Sequence, residues 1–224
     1  MIYNVERIPT MEFDNSNLHD RVYIYLRDKI LYSQLKPGSR IDYHQITDEL
    51  KVSRTPVRDA LNRLQQDGLV EVKPRSGSYV STPQVKDIVD IYDLRKALER
   101  QAVELAALNI SKDTLTSLLE EANQVESDIK RGETTSFFQA DRNLHRTIIR
   151  HSNNQRLISI MDNLEMQIKW FGIIMTRNLD RPLQANEMHK KILHALLHSK
   201  INKAQILMEE HIEEIKQSIL GDYS

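Results

Sequence analysis

Apolar residues recur along most of this 224-residue chain at the three- and four-residue intervals of amphipathic helices. Between residues 37 and 83 the pattern is interrupted by three of the six glycines and four of the six prolines. Beyond this stretch it continues with few breaks. The pattern predicts an N-terminal tail (1–17), a turn-rich unit (18–81), a linker (82–86) and a helical unit (87–220).

The turn-rich unit has the element order of a winged helix-turn-helix. Amphipathic helices are predicted over residues 18–35 and near 44–50, and a third helix ends before Gly68. Thr55 is the predicted N-cap of this third helix and Pro56 its first residue, because proline lacks only an N–H group that would be unpaired there. Two β-like runs, 69–72 and 78–81, flank a Pro/Gly turn and predict a hairpin.

The apolar side of the third helix determines which of its residues face outward. Burial of Val57, Ala60, Leu61 and Leu64 leaves the other side to Arg54, Thr55, Arg58 and Asn62. Recognition helices contact base edges from their N-terminal end, and arginine can bind guanine or phosphate. With Lys51 before the helix and Arg75 and Gly77 in the hairpin turn, these residues predict a DNA-binding surface. Ordinary solvated charge is the alternative interpretation, since acidic and basic residues nearly balance in this unit.

The helical unit is predicted to contain about six helices, which makes the fold mainly α. They lie near residues 84–108, 112–131, 134–152, 154–177, 182–199 and 201–219. In the third of these, the side that carries Phe138, Leu144, Ile148 and Ile149 is predicted to be buried.

Six of the eight histidines fall in the helical unit, and the helical periodicity divides them into two groups. His194 and His198 lie on a polar face and are predicted to be surface residues. Four other side chains, from three helices, lie on or beside the apolar faces: Asp141, His145, His189 and His211. Three imidazoles and a carboxylate suit a divalent metal such as Zn²⁺, Ni²⁺ or Mn²⁺. The residues alone leave open a metal-free polar network in which Asp141 pairs with Arg95 or a histidine.

Composition excludes several classes of protein. Hydrophobic residues make up 40% and charged residues 28%, and the net charge of −1 excludes a globally basic nucleic-acid coat. The chain has no cysteine, which excludes disulfides and thiolate metal sites and fits a reducing cytoplasm. No apolar run approaches the ~18 residues of a membrane span, and residues 1–17 have no signal-peptide core. We therefore expect a cytoplasmic protein without a membrane partner.

The stretch from Val52 to Leu61, followed by Asp67-Gly68-Leu69-Val70, resembles the signature of the GntR family of bacterial transcription regulators. The turn Arg75-Ser76-Gly77 resembles the wing of that family. The resemblance implies that Arg54 and Arg58 contact operator DNA and that the wing enters the minor groove. His44 departs from the pattern, because many members carry arginine at this position.

A second resemblance covers the helical unit. The series Asp141-x-x-x-His145, Glu187-Met188-His189 and His211 is similar to the FCD ligand-binding domain of the FadR-type subgroup. The resemblance implies that these aspartate and histidine side chains hold a divalent metal. It also implies that the metal and Arg95 receive a small carboxylate effector.

These features predict a metabolite-responsive transcription regulator rather than an enzyme. Of the two signs of regulation, repression is the one expected. A homodimer is expected, since one chain offers one recognition helix and two operator half-sites need a two-fold pair. Two alternatives remain open from the sequence: a metal-dependent enzyme acting on a small organic acid, and a domain in which a closed metal site only stabilises a dimer.

Overall fold

A computed structural model describes residues 18–174 and 181–223. The predicted N-terminal tail lies outside these residues, as does the end of the helix predicted over 154–177. The chain divides after Ser81 into two compact units. The described residues are mainly helical, as predicted, and their one sheet is a two-stranded hairpin in the first unit.

The first unit contains the elements of a winged helix-turn-helix in the predicted order. They are α1 (Leu18–Leu31), α2 (Tyr43–Leu50), α3 (Arg54–Gln66), β1 (Val70–Lys73) and β2 (Gly77–Val80). Helix α1 packs against α3. The apolar residues that give both helices their periodicity, including Val22, Leu26, Leu61 and Leu64, are fully buried. Tyr23 joins the two helices at their edge, because its hydroxyl donates to Asp67 Oδ2 at 2.6 Å.

The start of α3 differs from the prediction. The helix begins at Arg54 with Ser53 as its N-cap, so the prediction of Thr55 as N-cap was wrong. Pro56 is the third residue of the helix. Proline is compatible with any position in the first turn, because none of those N–H groups has a partner within the helix. The earlier start places Arg54 inside the first turn of α3.

The hairpin is antiparallel and in register from Val70↔Val80 to Lys73↔Gly77. Its turn needs two residues with positive φ, Arg75 at 61° and Gly77 at 125°. Arg40 forms an isolated bridge with Tyr79, which attaches the segment before α2 to the outer edge of β2.

In the part of the second unit that the structure describes, six helices form a bundle. They are α4 (Val85–Ala106), α5 (Lys112–Lys130), α6 (Thr135–His151), α7 (Gln155–Ile174), α8 (Arg181–Leu197) and α9 (Ile201–Tyr223). Helix α4 packs against α9 and α6, and α8 packs against α5 and α9. The core consists of aliphatic and aromatic side chains that include Ile88, Tyr92, Val103, Ile148, Ile192, Leu193, Met208 and Ile212.

The predicted buried side of α6 needs one correction. Phe138 is 41% exposed, and its neighbour Phe137 enters the core instead. Phe137 lies seven residues before Leu144, two helical turns away on the same stripe, whereas Phe138 is rotated by about 100°.

In the described part of the chain, no helix combines the length and apolar character required to span a membrane.

Candidate DNA-binding surface and metal centre

The first turns of α3 present the predicted polar residues to solvent. Arg54, Thr55, Arg58 and Asn62 are all exposed, and so is Lys51 in the turn before the helix. Arg58 has an ion-pair contact with Asp59 at 3.9 Å, which is a weak interaction at an exposed site. The Ser53 side chain makes no capping hydrogen bond, so the positive end of the helix dipole lies beside these cations. The surface suits a polyanion.

A hollow of about 360 Å³ lies between α2 and α3 and is lined by Tyr43, His44, Arg54, Thr55 and Arg58. Arg54 Nη2 lies 3.2 Å from His44 Nε2, and since the guanidinium can only donate, the imidazole nitrogen accepts. The contact gives a role to the histidine that departs from the GntR pattern: it holds the first arginine of α3 from the neighbouring helix.

The hairpin turn carries the other predicted residues of this surface. The Arg75 side chain is exposed, and Lys73 lies over the Tyr79 ring with Nζ 4.8 Å from the ring centre. Gly77 has no side chain to offer, and its importance is geometric. A Cβ at this position would lie 3.3 Å from Arg40 Nε, and its φ is one that other residues rarely adopt.

In the helical unit, the four predicted ligand side chains meet inside the bundle. One ligand atom from each of Asp141, His145, His189 and His211 lies within 4.8 Å of the other three. The nearest pairs are His189 Nε2 and His211 Nε2 at 3.0 Å, His145 Nε2 and His211 Nε2 at 3.2 Å, and His189 Nε2 and Asp141 Oδ1 at 3.4 Å. We name these four residues the Asp-His cluster.

Helix periodicity explains how the Asp-His cluster is assembled. Asp141 and His145 are four residues apart on α6 and share one face. His189 comes from α8 and His211 from α9, the helices that pack together along the core. The three imidazoles are buried, while Asp141 remains 28% exposed. His194 and His198 are exposed, as predicted.

Burial keeps two of the imidazoles neutral. It lowers the pKa of His189 to about 4. It also places the pKa of His211 well below the usual histidine value, with a further contribution from the neighbouring His189. A neutral imidazole retains the lone pair that binds a cation.

The donor set fits a divalent metal ion. Metal–nitrogen bonds of about 2.0–2.1 Å place adjacent ligand atoms roughly 3.0–3.4 Å apart, which matches the three shortest separations in the cluster. Three ring nitrogens directed at one point repel one another unless a proton or a cation lies between them. A cation would accept every lone pair in the cluster at once.

Arg95 and Glu99 extend the polar core on α4. Arg95 Nε donates to Glu99 Oε1 at 2.6 Å, and Glu99 Oε2 contacts His145 Nδ1. Burial alone would raise the pKa of Glu99, but His145 and Arg95 outweigh it and hold the value at about 2. Arg95 is therefore paired with Glu99, and a direct Arg95–Asp141 pair is absent among the described residues.

Sequence reasoning missed Glu99 as a member of the site. Its spacing of four residues from Arg95 was an available signal, because it places both side chains on one face of the helix. Tyr92 was also missed: it is fully buried, and the Arg95 guanidinium lies 5.6 Å from the centre of its ring.

Comparison with known proteins agrees with both units. Residues 18–80 match the family described as bacterial regulatory proteins, gntR family, and residues 90–214 match the FCD domain. The HTH-type transcriptional repressor RspR of Escherichia coli K12 is 24% identical, and the match covers 90% of this chain and 89% of that protein.

Two solved structures share the fold. McbR/YncC of E. coli superposes with a TM-score of 0.76 at 22% identity, over 93% of this chain and all of that one. The metal-free FCD domain of TM0439 gives a TM-score of 0.55 at 20% identity, over 64% of this chain and 98% of that one. The chain belongs to the GntR family of bacterial regulatory proteins and carries an FCD domain as its second unit.

Proposed function

We propose that this transcription regulator acts as a homodimer that binds operator DNA and senses a small carboxylate through a metal held by the Asp-His cluster. Membership of the family makes the chain a DNA-binding regulator rather than an enzyme. The proposal adds which residues bind DNA, which metal ions the cluster would hold, which class of effector is sensed, and how effector binding changes DNA binding.

The DNA-binding part rests on the exposed face of α3. Arg54, Thr55, Arg58 and Asn62 would enter the major groove, with Lys51 on the flanking backbone. Arg75, at the tip of the hairpin, would enter the adjacent minor groove. Two such units related by a two-fold axis match two half-sites about 34–36 Å apart, which is the argument for a homodimer.

The observation that carries the effector part is a buried cation beside the largely buried Asp-His cluster. Arg95 is 5% exposed, and Glu99 connects it directly to His145 of the cluster. The ion would be Zn²⁺, Ni²⁺ or Mn²⁺, all of which accept imidazole and carboxylate ligands. When bound, it would supply a positive centre for one carboxylate oxygen. The guanidinium has further N–H groups for the other oxygen.

The expected sign of regulation is repression, with release of the operator when the effector binds. The relative RspR is named as a repressor, which supports this direction. If the effector prefers the state of the dimer that binds the operator weakly, it lowers operator affinity, and the operator lowers effector affinity by the same factor.

The test uses the full chain with and without metal. A thermal-shift screen of small mono- and dicarboxylates on the zinc-loaded protein identifies an acid that binds. We expect that acid to weaken binding to an operator selected from random DNA by about 5–150-fold, measured by fluorescence anisotropy. Chelator-treated protein should not respond. If no acid binds, or if the chelated protein responds equally, the proposed sensing site is wrong.

A further inference from the structure

Glu99 occupies an unusual position between the two parts of the proposed sensing site. It is a carboxylate with no exposed surface, and each of its oxygens has a separate partner. Oε1 accepts from Arg95 Nε at 2.6 Å, and Oε2 contacts His145 Nδ1. A buried carboxylate is costly unless both oxygens are paired, as they are here.

We propose that Glu99 is a positioning residue of the metal centre, which fixes His145 in the tautomer and ring orientation that the cluster requires. The inference rests on the proposed metal-sensing function and goes beyond it, because it assigns a role to a residue outside the ligand set.

The two ring nitrogens of His145 have different neighbours. Nδ1 faces the Glu99 carboxylate, which can only accept a hydrogen bond, so Nδ1 is the nitrogen that carries the proton in the tautomer that binds a metal. Nε2 is then left with its lone pair. That nitrogen lies 3.2 Å from His211 Nε2 and 3.8 Å from Asp141 Oδ1, inside the cluster. A carboxylate on the far nitrogen orients a ligating histidine and increases its basicity.

Arg95 determines which way the carboxylate of Glu99 points. The bond from Arg95 Nε occupies Oε1 and thereby directs Oε2 at His145. The chain of contacts runs from α4 to α6, joining residues 46 positions apart in sequence. Arg95, the residue proposed to bind the effector, is therefore linked to His145, a proposed metal ligand, by the two contacts of the Glu99 carboxylate.

The experiment measures zinc affinity of the full-length protein by competition with a chelator. Glu99→Gln should lower the affinity for Zn²⁺ by about 10–100-fold, because the amide can no longer accept from both Arg95 and His145. Glu104→Gln is the matched control: the same substitution on the same helix, at an exposed residue that accepts from Gln205. It should leave zinc affinity unchanged.

A second pair of variants separates the positioning of His145 by Glu99 from the other effect of Glu99, which is to neutralise the charge of Arg95. Arg95→Gln and the double variant Arg95→Gln/Glu99→Gln both lack the buried cation, so the double variant has no unpaired charge that would prevent folding. If Glu99 positions His145, the double variant should bind zinc about 10–100-fold more weakly than Arg95→Gln alone.

The outcomes distinguish the inference from the function it rests on. A wild-type protein that fails to bind zinc would overturn the metal centre itself. Wild-type binding together with unchanged affinity in Glu99→Gln, or equal affinity in the second pair, would overturn the role of Glu99 alone. A purely structural Glu99 would shift the unfolding midpoint of the metal-free protein without shifting the zinc affinity of the folded one.

Discussion

Arg58 is the arginine of α3 that is least engaged within its own unit. Arg54 is held by His44, and Arg63 is tied to Asp20 at 2.5 Å and lies over the Tyr23 ring. Within the described ranges, the one ion-pair contact of Arg58 is the 3.9 Å approach of Asp59, on an exposed face. Its guanidinium is therefore available to DNA without the loss of a strong internal contact.

Arg58→Ala should weaken operator binding by about 1–3 kcal/mol if Arg58 contacts a base. The fold should be retained, because the side chain is exposed. Anisotropy titrations at matched salt measure the effect. Arg150→Ala, which removes an exposed arginine paired with Asp162 on the helical unit, is the control. Equal operator affinity for Arg58→Ala and wild type would show that α3 does not read DNA through this residue.

Sequence reasoning could name the four residues that meet in the Asp-His cluster, but it could not name Glu99. These four positions could be inferred because each lies on or beside the apolar face of its own helix, which is a local property of the sequence. The role of Glu99 depends on the packing of α4 against α6, which brings it to His145. Periodicity places a residue on a face, and only the packed bundle determines which side chains from two faces meet.

At the scale of elements, the order of helices and strands was predictable, and the details of their ends were not. Pro56 is equally compatible with the first and the third position of a helix, so it could not decide where α3 begins. The adjacent aromatics Phe137 and Phe138 are only about 100° apart around α6, and a wide buried face can accept either. The structure buries the first of them.

The hairpin depends on a glycine at one position. Gly77→Ala should lower the stability of the β1–β2 hairpin by about 1–3 kcal/mol, since alanine is strained at a φ of 125°. Faster hydrogen–deuterium exchange in peptides that cover β1 and β2 measures this loss.

Gly221→Ala in α9 is the matched control, because a Cβ there meets nothing within 4 Å and alanine favours a helix. It should leave the stability of the protein unchanged or slightly raised. Unchanged exchange in the hairpin of Gly77→Ala would contradict the argument that backbone geometry requires this glycine.

At the scale of the whole molecule, the chain places its two activities in two compact units that meet in sequence at Ser81. The net charge of −1 does not reveal that basic side chains gather on α3 and the hairpin, or that the helical unit buries Arg95 and Glu99 as a pair. Three helices of the second unit contribute ligand atoms to one point. A metal bound there would hold α6, α8 and α9 together, so its binding energy would appear as stability of the unit.

The most direct test of the metal centre compares His189→Ala with His194→Ala, two histidines on the same helix, one buried in the cluster and one exposed. Zinc content and the melting temperature before and after chelation are measured for wild type and both variants. Wild type and His194→Ala should bind zinc, and their melting temperatures should fall on chelation. His189→Ala should bind less zinc and respond little to the chelator, which separates loss of metal from loss of packing. Equal zinc content in both variants, or a loss confined to His194→Ala, would contradict the assignment of the Asp-His cluster as the metal centre.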